Sequence, residues 1–70
     1  MDRDDATVVT MVEGRMVETN VRSLITVIYP PVGGGKAVWC AHRPGANALE
    51  AHGEMVARAE REARLALYKG

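Results

Sequence analysis

The 70-residue sequence contains no phenylalanine, one cysteine, and equal numbers of acidic and basic residues, nine of each. The single Cys40 excludes an internal disulfide and is typical of a small buried hydrophobe in a reducing compartment. A net charge of zero makes nucleic acid an unfavourable partner, because binding to phosphates requires a basic footprint. No apolar run is long enough to span a bilayer, and the acidic start at residues 1–5 differs from the basic start of a signal peptide. These absences predict a cytoplasmic protein that does not bind a membrane.

The length predicts a single domain, 1–70, with residues 1–6 as a disordered leader, 7–42 as a sheet and 47–68 as a helix. A chain of this size buries only about 60% of its unfolded surface. Small folds usually compensate with a disulfide, a metal or an oligomer interface.

Alternating β-branched residues predict three strands. The first is at residues 7–12, and the Glu13-Gly14 pair after it suits a tight hairpin. Residues 15–29 read as one long strand, or as two with a bend near 20–23. Its odd positions are expected on one face, namely Val17, Thr19, Val21, Ile25, Val27 and Tyr29.

The third strand is expected at residues 36–42, after a loop of prolines and glycines at 30–35. Trp39 is flanked by the small side chains of Ala37 and Ala41, which leave room for an indole. This spacing predicts that Trp39 packs against the helix as the anchor of the core.

The helix has the clearest local signal, because Asn47 followed by Glu50 resembles a capping box. Three- and four-residue steps predict an inner face made of Leu49, Val56, Ala59, Ala63 and Ala66 or Leu67. Gly53, in mid-helix, indicates either close approach of another element or a mild kink, and the two interpretations are equally favoured.

No pattern in the chain predicts catalysis, a cofactor or a metal. Cys40, His42 and His52 are the soft ligands available for zinc or for a Cys-His nucleophile, but their spacing matches no zinc pattern. The run from Gly33 to Lys36 lacks the spacing of a phosphate-binding loop. We therefore expect no catalytic, cofactor or metal site and no enzymatic activity.

The predicted fold is α+β, a three-stranded antiparallel meander followed by one long C-terminal helix packed on one face. Residues 24–29 and 37–42 are apolar on both faces, and one helix can cover only one of them. We therefore expect a homodimer or higher oligomer formed through the other face. The candidate contacts with a second copy or a partner protein are Ile25, Val27, Tyr29, Val38 and Cys40.

This pattern favours a small homo-oligomeric protein-binding module, such as an inhibitor, adaptor or assembly factor that occupies a surface of another protein. Chains of this size without a catalytic constellation are common in phages and mobile elements. The alternative is a small dimeric regulator that binds nucleic acid through a strand or helix.

Overall fold

A computed structural model describes the backbone of residues 6–69 and the side chains of residues 6–66. Four strands precede one helix: β1 (Thr7–Val12), β2 (Arg15–Asn20), β3 (Ile25–Tyr29), β4 (Val38–Ala41) and α1 (Ala48–Lys69). The strands form one antiparallel sheet in the order β1-β2-β3-β4, and α1 lies over β1, β2 and β3. The predicted α+β class and C-terminal helix are confirmed. Except for Ala6, the predicted leader lies outside the described residues.

The prediction of three strands was wrong, because residues 15–29 fold as two strands joined by a turn at residues 21–24. The side-chain oxygen of Asn20 accepts hydrogen bonds from the backbone N–H groups of Arg22 (3.0 Å) and Ser23 (2.8 Å). The backbone N–H of Leu24 donates to the Asn20 carbonyl at 2.9 Å, and Leu24 takes a left-handed φ of 57°. Asn favours turns because its side chain can bond the backbone two residues on. The turn residues therefore interrupt a run that reads as continuous β-structure.

This turn changes which residues share a face. In the β2–β3 pair, Val17 lies opposite Ile28 and Thr19 opposite Thr26. Directly paired residues of antiparallel strands lie on the same side of the sheet, so odd positions of β2 align with even positions of β3. The prediction that Val17 and Thr19 share a face with Val27 was therefore wrong.

The register between β3 and β4 corrects the placement of Trp39. Trp39 pairs with Val27, and both lie on the face away from α1. Its side chain is 68% exposed, so it is not the anchor of the core that the sequence predicted. The small neighbours Ala37 and Ala41 are consistent with Trp39 on either face of the sheet, so their spacing alone does not determine which face it occupies.

The other two local predictions at chain turns are confirmed. Glu13 and Gly14 both have positive φ, 49° and 83°, as a two-residue hairpin of the favoured twist requires. Asn47 caps the helix, since its side-chain oxygen accepts from the N–H groups of Leu49 and Glu50, each at 3.0 Å.

The inner face of α1 agrees with the expected one at Ala59 and Ala63, which are buried, and at Val56, which packs against the core. Ala66 is exposed, and the side chain of Leu67 lies outside the described residues. The residues buried there are Ala51, His52, Met55, Ala59 and Ala63, whereas Leu49 is 68% exposed. The core consists of Val12, Val17, Ile28, Met55 and Ala59, with Cys40 and Val56 packed against it. A Cβ at Gly53 would meet nothing within 4 Å, so the close-approach interpretation of Gly53 is not supported.

Candidate protein-binding face and a buried threonine–histidine network

The side of the sheet that faces away from α1 is an extended and largely apolar surface, which we call the open face. The pairing registers assign it the following residues: Thr7, Val9, Met11, Met16, Glu18, Asn20, Ile25, Val27, Tyr29, Trp39 and Ala41. Four large side chains on it are strongly exposed, since Trp39 is 68%, Met11 62%, Val9 50% and Tyr29 37% accessible. Isolated exposed hydrophobes are common, whereas large contiguous apolar patches are typical of interaction sites, so the open face is a candidate binding surface.

Glu18 gives the open face a polar centre. It lies on β2 directly opposite Val27. Its carboxylate raises the pKa of Tyr29, because it accepts a hydrogen bond from the phenol and repels the phenolate charge. Glu18 also lines a shallow depression of about 230 Å³, whose other lining residues include Asn20, Ile25 and Val27. The open face therefore combines a protruding indole with a recess that contains a hydrogen-bond acceptor.

The five predicted contact residues divide between the two faces of the sheet. Ile25, Val27 and Tyr29 lie together on the open face. Val38 pairs with Ile28 and Cys40 with Thr26, which places both on the helix side. Val38 is 40% exposed and Cys40 packs partly against the core, so these two cannot form one surface with the other three.

Beneath the helix lies a group of five polar side chains that sequence reasoning did not bring together. We call it the threonine–histidine network, and it joins Thr10, His52, Thr19, Thr26 and His42 in that order. His52 Nε2 lies 2.8 Å from Thr10 Oγ1, and His52 Nδ1 lies 2.7 Å from Thr19 Oγ1. Thr19 Oγ1 lies 2.7 Å from Thr26 Oγ1, which in turn lies 2.8 Å from His42 Nε2. Four short hydrogen bonds therefore connect β1 to the chain just beyond β4.

The interior of this network is shielded from solvent. Thr19 and Thr26 are fully buried and His52 is 6% exposed. Burial lowers the pKa of His52, because removing the imidazole from water disfavours its charged form. Buried polar groups are costly unless they are hydrogen-bonded, and both ring nitrogens of His52 have a threonine partner. The neutral imidazole therefore ties α1 to β1 and β2 at a defined position.

The two ends of the network line separate grooves on either side of α1. His42 lies in a groove with Arg43, Asn47, Glu50 and Glu54, next to the start of the helix. Thr10 lines a second groove, together with Glu13, Glu60 and Arg64 at its rim. The network therefore links two surface regions through the core.

The structure also shows how the predicted soft ligands are used. Both nitrogens of His52 and the Nε2 of His42 bond to threonine hydroxyls, so neither histidine offers these atoms to a metal without losing a hydrogen bond of the network. Within the described residues, no group of three or more His, Cys, Asp or Glu side chains is arranged to hold a metal ion. The one sign of this network in the sequence is that three threonines lie in β-rich runs, namely Thr10, Thr19 and Thr26. Without the turn at 21–24, their shared face was not evident.

In comparisons with known proteins, no protein-family model, curated protein or solved structure matches the chain. Over the residues described, no helix has the length and apolar character needed to cross a membrane.

Proposed function

We propose that the protein is a protein-binding module that acts through its open face, and that this face is covered by a second copy when no partner is bound. The observation that carries the proposal is Trp39, which is 68% exposed on the side of the sheet that the helix does not cover. Tryptophan is enriched among residues that dominate binding energy in interfaces. An inhibitor, adaptor or assembly factor would use such a surface to occupy a site on another protein.

A second copy is a suitable occupant because the open face carries complementary features. Each copy presents a protruding indole and, elsewhere on the same surface, a recess lined by Glu18 and Asn20. In a two-fold dimer, each Trp39 would enter the recess of the other copy. The indole N–H needs an acceptor when buried, and the Glu18 carboxylate supplies one.

The size of the surface sets the expected affinity. The sheet has four strands. With a spacing of about 4.8 Å between strands and about five residues per strand, each rising about 3.3 Å, the open face has a planar area of roughly 300 Å². Stable interfaces bury about 800 Å² on each partner. We therefore expect a weak dimer that exchanges readily, which would leave the open face available to a partner protein.

The charges on this surface favour protein over nucleic acid. Among the residues assigned to the open face, Glu18 is the one charged side chain and none is basic. A central carboxylate repels phosphates, and nucleic-acid binding depends mainly on Lys and Arg contacts with them. We expect no salt-dependent retention on immobilised DNA, and such retention would favour the alternative of a nucleic-acid regulator.

The proposal is tested by measuring self-association of three purified proteins with sedimentation velocity. The wild type should associate between about 1 µM and 1 mM, a range typical of weak complexes. Trp39→Ala should remain monomeric over the same range. Leu49→Ala is the matched control, because Leu49 is equally exposed at 68% but lies on the helix, and it should associate like the wild type.

Two results would contradict the proposal. One is a wild type that stays monomeric at every concentration. The other is a Trp39→Ala variant that associates as strongly as the wild type. Because Trp39 makes little of the core, we expect Trp39→Ala to fold with a change in stability within about 0.5 kcal/mol, and its thermal melt verifies that it is folded.

A further inference from the structure

We propose that the threonine–histidine network is a pH-sensitive switch. Protonation of His42 in one groove reverses the hydrogen bond between Thr10 and His52, so that the Thr10 hydroxyl in the other groove accepts from His52 instead of donating to it. The proposal is independent of the open face. It depends on the order in which the five side chains are bonded and on the number of hydrogens that they share.

The network with both histidines neutral has two possible directions. In the first, Thr10 donates to His52 Nε2, His52 Nδ1–H to Thr19, Thr19 to Thr26, and Thr26 to His42 Nε2. In the second, every bond runs the other way and His52 carries its hydrogen on Nε2. Each imidazole has one N–H and each hydroxyl one hydrogen, so both directions make all four bonds.

A proton on His42 selects the second direction. A charged imidazole donates from both nitrogens, so Nε2–H of His42 must donate to Thr26. Thr26 then donates to Thr19, and Thr19 to His52 Nδ1, which has to be unprotonated. His52 therefore holds its hydrogen on Nε2 and donates it to Thr10. In molecules that begin in the first direction, His42 gains one proton from water, the hydroxyl hydrogens only rotate, and His52 releases its Nδ1 hydrogen to solvent and takes one up on Nε2, so the network gains one proton in total.

The burial of the two central threonines makes this selection effective. Thr19 and Thr26 are fully buried, so a hydroxyl turned the wrong way would find no water to accept its hydrogen. With both histidines charged, Thr19 and Thr26 would each receive a bond from an imidazole, and one of their hydrogens would lack an acceptor in the network. The two histidines therefore take up protons in sequence, as a coupled pair.

Charged groups lie at both ends of the network, and those in the Thr10 groove are Glu13, Glu60 and Arg64. His42 shares its groove with Arg43 from its own segment and with Glu50 and Glu54 from α1. His52 faces Thr10 of β1 and Thr19 of β2. Cys40 of β4 lies opposite Thr26 of β3. His42 is partly exposed whereas His52 is buried, so a proton from solvent reaches His42 directly.

Coupling of this kind is reciprocal. A molecule that accepts a hydrogen bond from Thr10 favours the second direction, because only there is the Thr10 hydrogen not donated to His52, whereas the hydroxyl oxygen can accept in either direction. That direction is the one that a proton on His42 selects. Such a ligand in the groove of Glu13, Glu60 and Arg64 would therefore increase proton uptake at His42, on the other side of the helix.

The experiment follows the ring nitrogens of both histidines by ¹⁵N NMR, between about pH 5 and 8, where imidazoles ordinarily titrate. The chain has only two histidines, so their signals are readily assigned. In the wild type, His52 should shift to the Nε2–H form at the same midpoint at which His42 takes up its proton. Thr26→Val should abolish this linked shift, because it breaks the network while preserving side-chain shape. Thr26→Ser, which restores a hydroxyl, should recover it.

The proposal is overturned if His52 keeps the same tautomer population while His42 titrates in the wild type. It is equally overturned if His52 follows His42 as closely in Thr26→Val as in the wild type. His42→Leu provides a second test that does not alter the buried threonines, and it should remove the linked shift at His52. Persistence of that shift in His42→Leu would refute the role of His42.

Discussion

Replacing Thr19 by valine should destabilise the protein more than its conservative size suggests. The Thr19 hydroxyl lies 2.7 Å from both His52 Nδ1 and Thr26 Oγ1, and it is fully buried. Valine fills the same space but leaves both partners without one of their bonds. An unpaired buried polar group costs about 1–3 kcal/mol, and here each partner keeps its bond to Thr10 or His42, which favours the lower part of that range.

The two partners together lose about 2–3 kcal/mol, and the additional buried methyl group offsets about 0.8 kcal/mol, so the expected net loss in the free energy of unfolding is about 1–2 kcal/mol. For a domain of this length the total is only about 4–10 kcal/mol. Each kcal/mol lowers the melting temperature by about 4–8 °C, so Thr19→Val should melt roughly 5–15 °C below the wild type.

Circular dichroism melts and urea titrations measure this loss. Thr10→Val is the matched control, since it removes a single bond at the end of the network, the 2.8 Å contact with His52, and should cost about 1 kcal/mol. If Thr19→Val melts within error of the wild type, or no lower than Thr10→Val, then the buried hydrogen bonds do not stabilise the fold as argued.

Three further predictions concern the helix. Asn47→Ala should cost about 1 kcal/mol by removing the acceptor for two backbone N–H groups, whereas Asn47→Asp should retain it; equal melts for all three proteins would mean that the cap contributes nothing. Gly53→Ala should raise stability by up to about 1 kcal/mol, because the position is helical with open space around it, and a lower melting temperature would reveal a hidden requirement for glycine. Burial lowers the pKa of His52, so just below about pH 6.5 the unfolded chain binds more protons at this residue than the folded protein does. The contribution of His52 to the free energy of unfolding should therefore be complete above that pH and decline as the pH falls. His52→Gln, which does not titrate, should show a flatter dependence of melting temperature on pH, and an equal slope in the two proteins would contradict this assignment.

Local signals in the sequence predicted the elements that depend on neighbouring residues. The Glu13-Gly14 hairpin and the Asn47 cap each follow from a few adjacent side chains and their backbone preferences, and both are present. The α+β class and the antiparallel sheet also follow from the alternation of apolar residues and the single helical segment.

The faces of the strands could not be predicted from alternation alone. The turn at residues 21–24 contains Val21 and Leu24 and lacks glycine and proline, so its composition resembles a strand. Once Asn20 closes that turn, the side-chain pattern of everything after it is inverted relative to β2. This turn brings Thr19 and Thr26 together in the core. The register between β3 and β4, which pairs Trp39 with Val27, places Trp39 on the open face.

The candidate site was predictable only in part for the same reason. Two apolar faces and one helix correctly indicated that one side of the sheet would be left uncovered. Which residues occupy it depends on the register, so Ile25, Val27 and Tyr29 were placed with Val38 and Cys40, although the sheet separates them. The threonine–histidine network also depends on the register and had no signal in the local sequence.

The most direct test of the open face as a binding surface is the fluorescence of Trp39, the one tryptophan in the chain, measured with a soluble quencher over a dilution series. The account predicts red-shifted emission that is readily quenched in dilute protein, and a shift to the blue with reduced quenching as the second copy covers the indole. Emission that is blue-shifted and shielded from quencher even at the lowest concentration would place Trp39 in the core. Emission that stays red-shifted and readily quenched at concentrations where sedimentation shows dimers would place the dimer interface elsewhere. Either result would contradict the account.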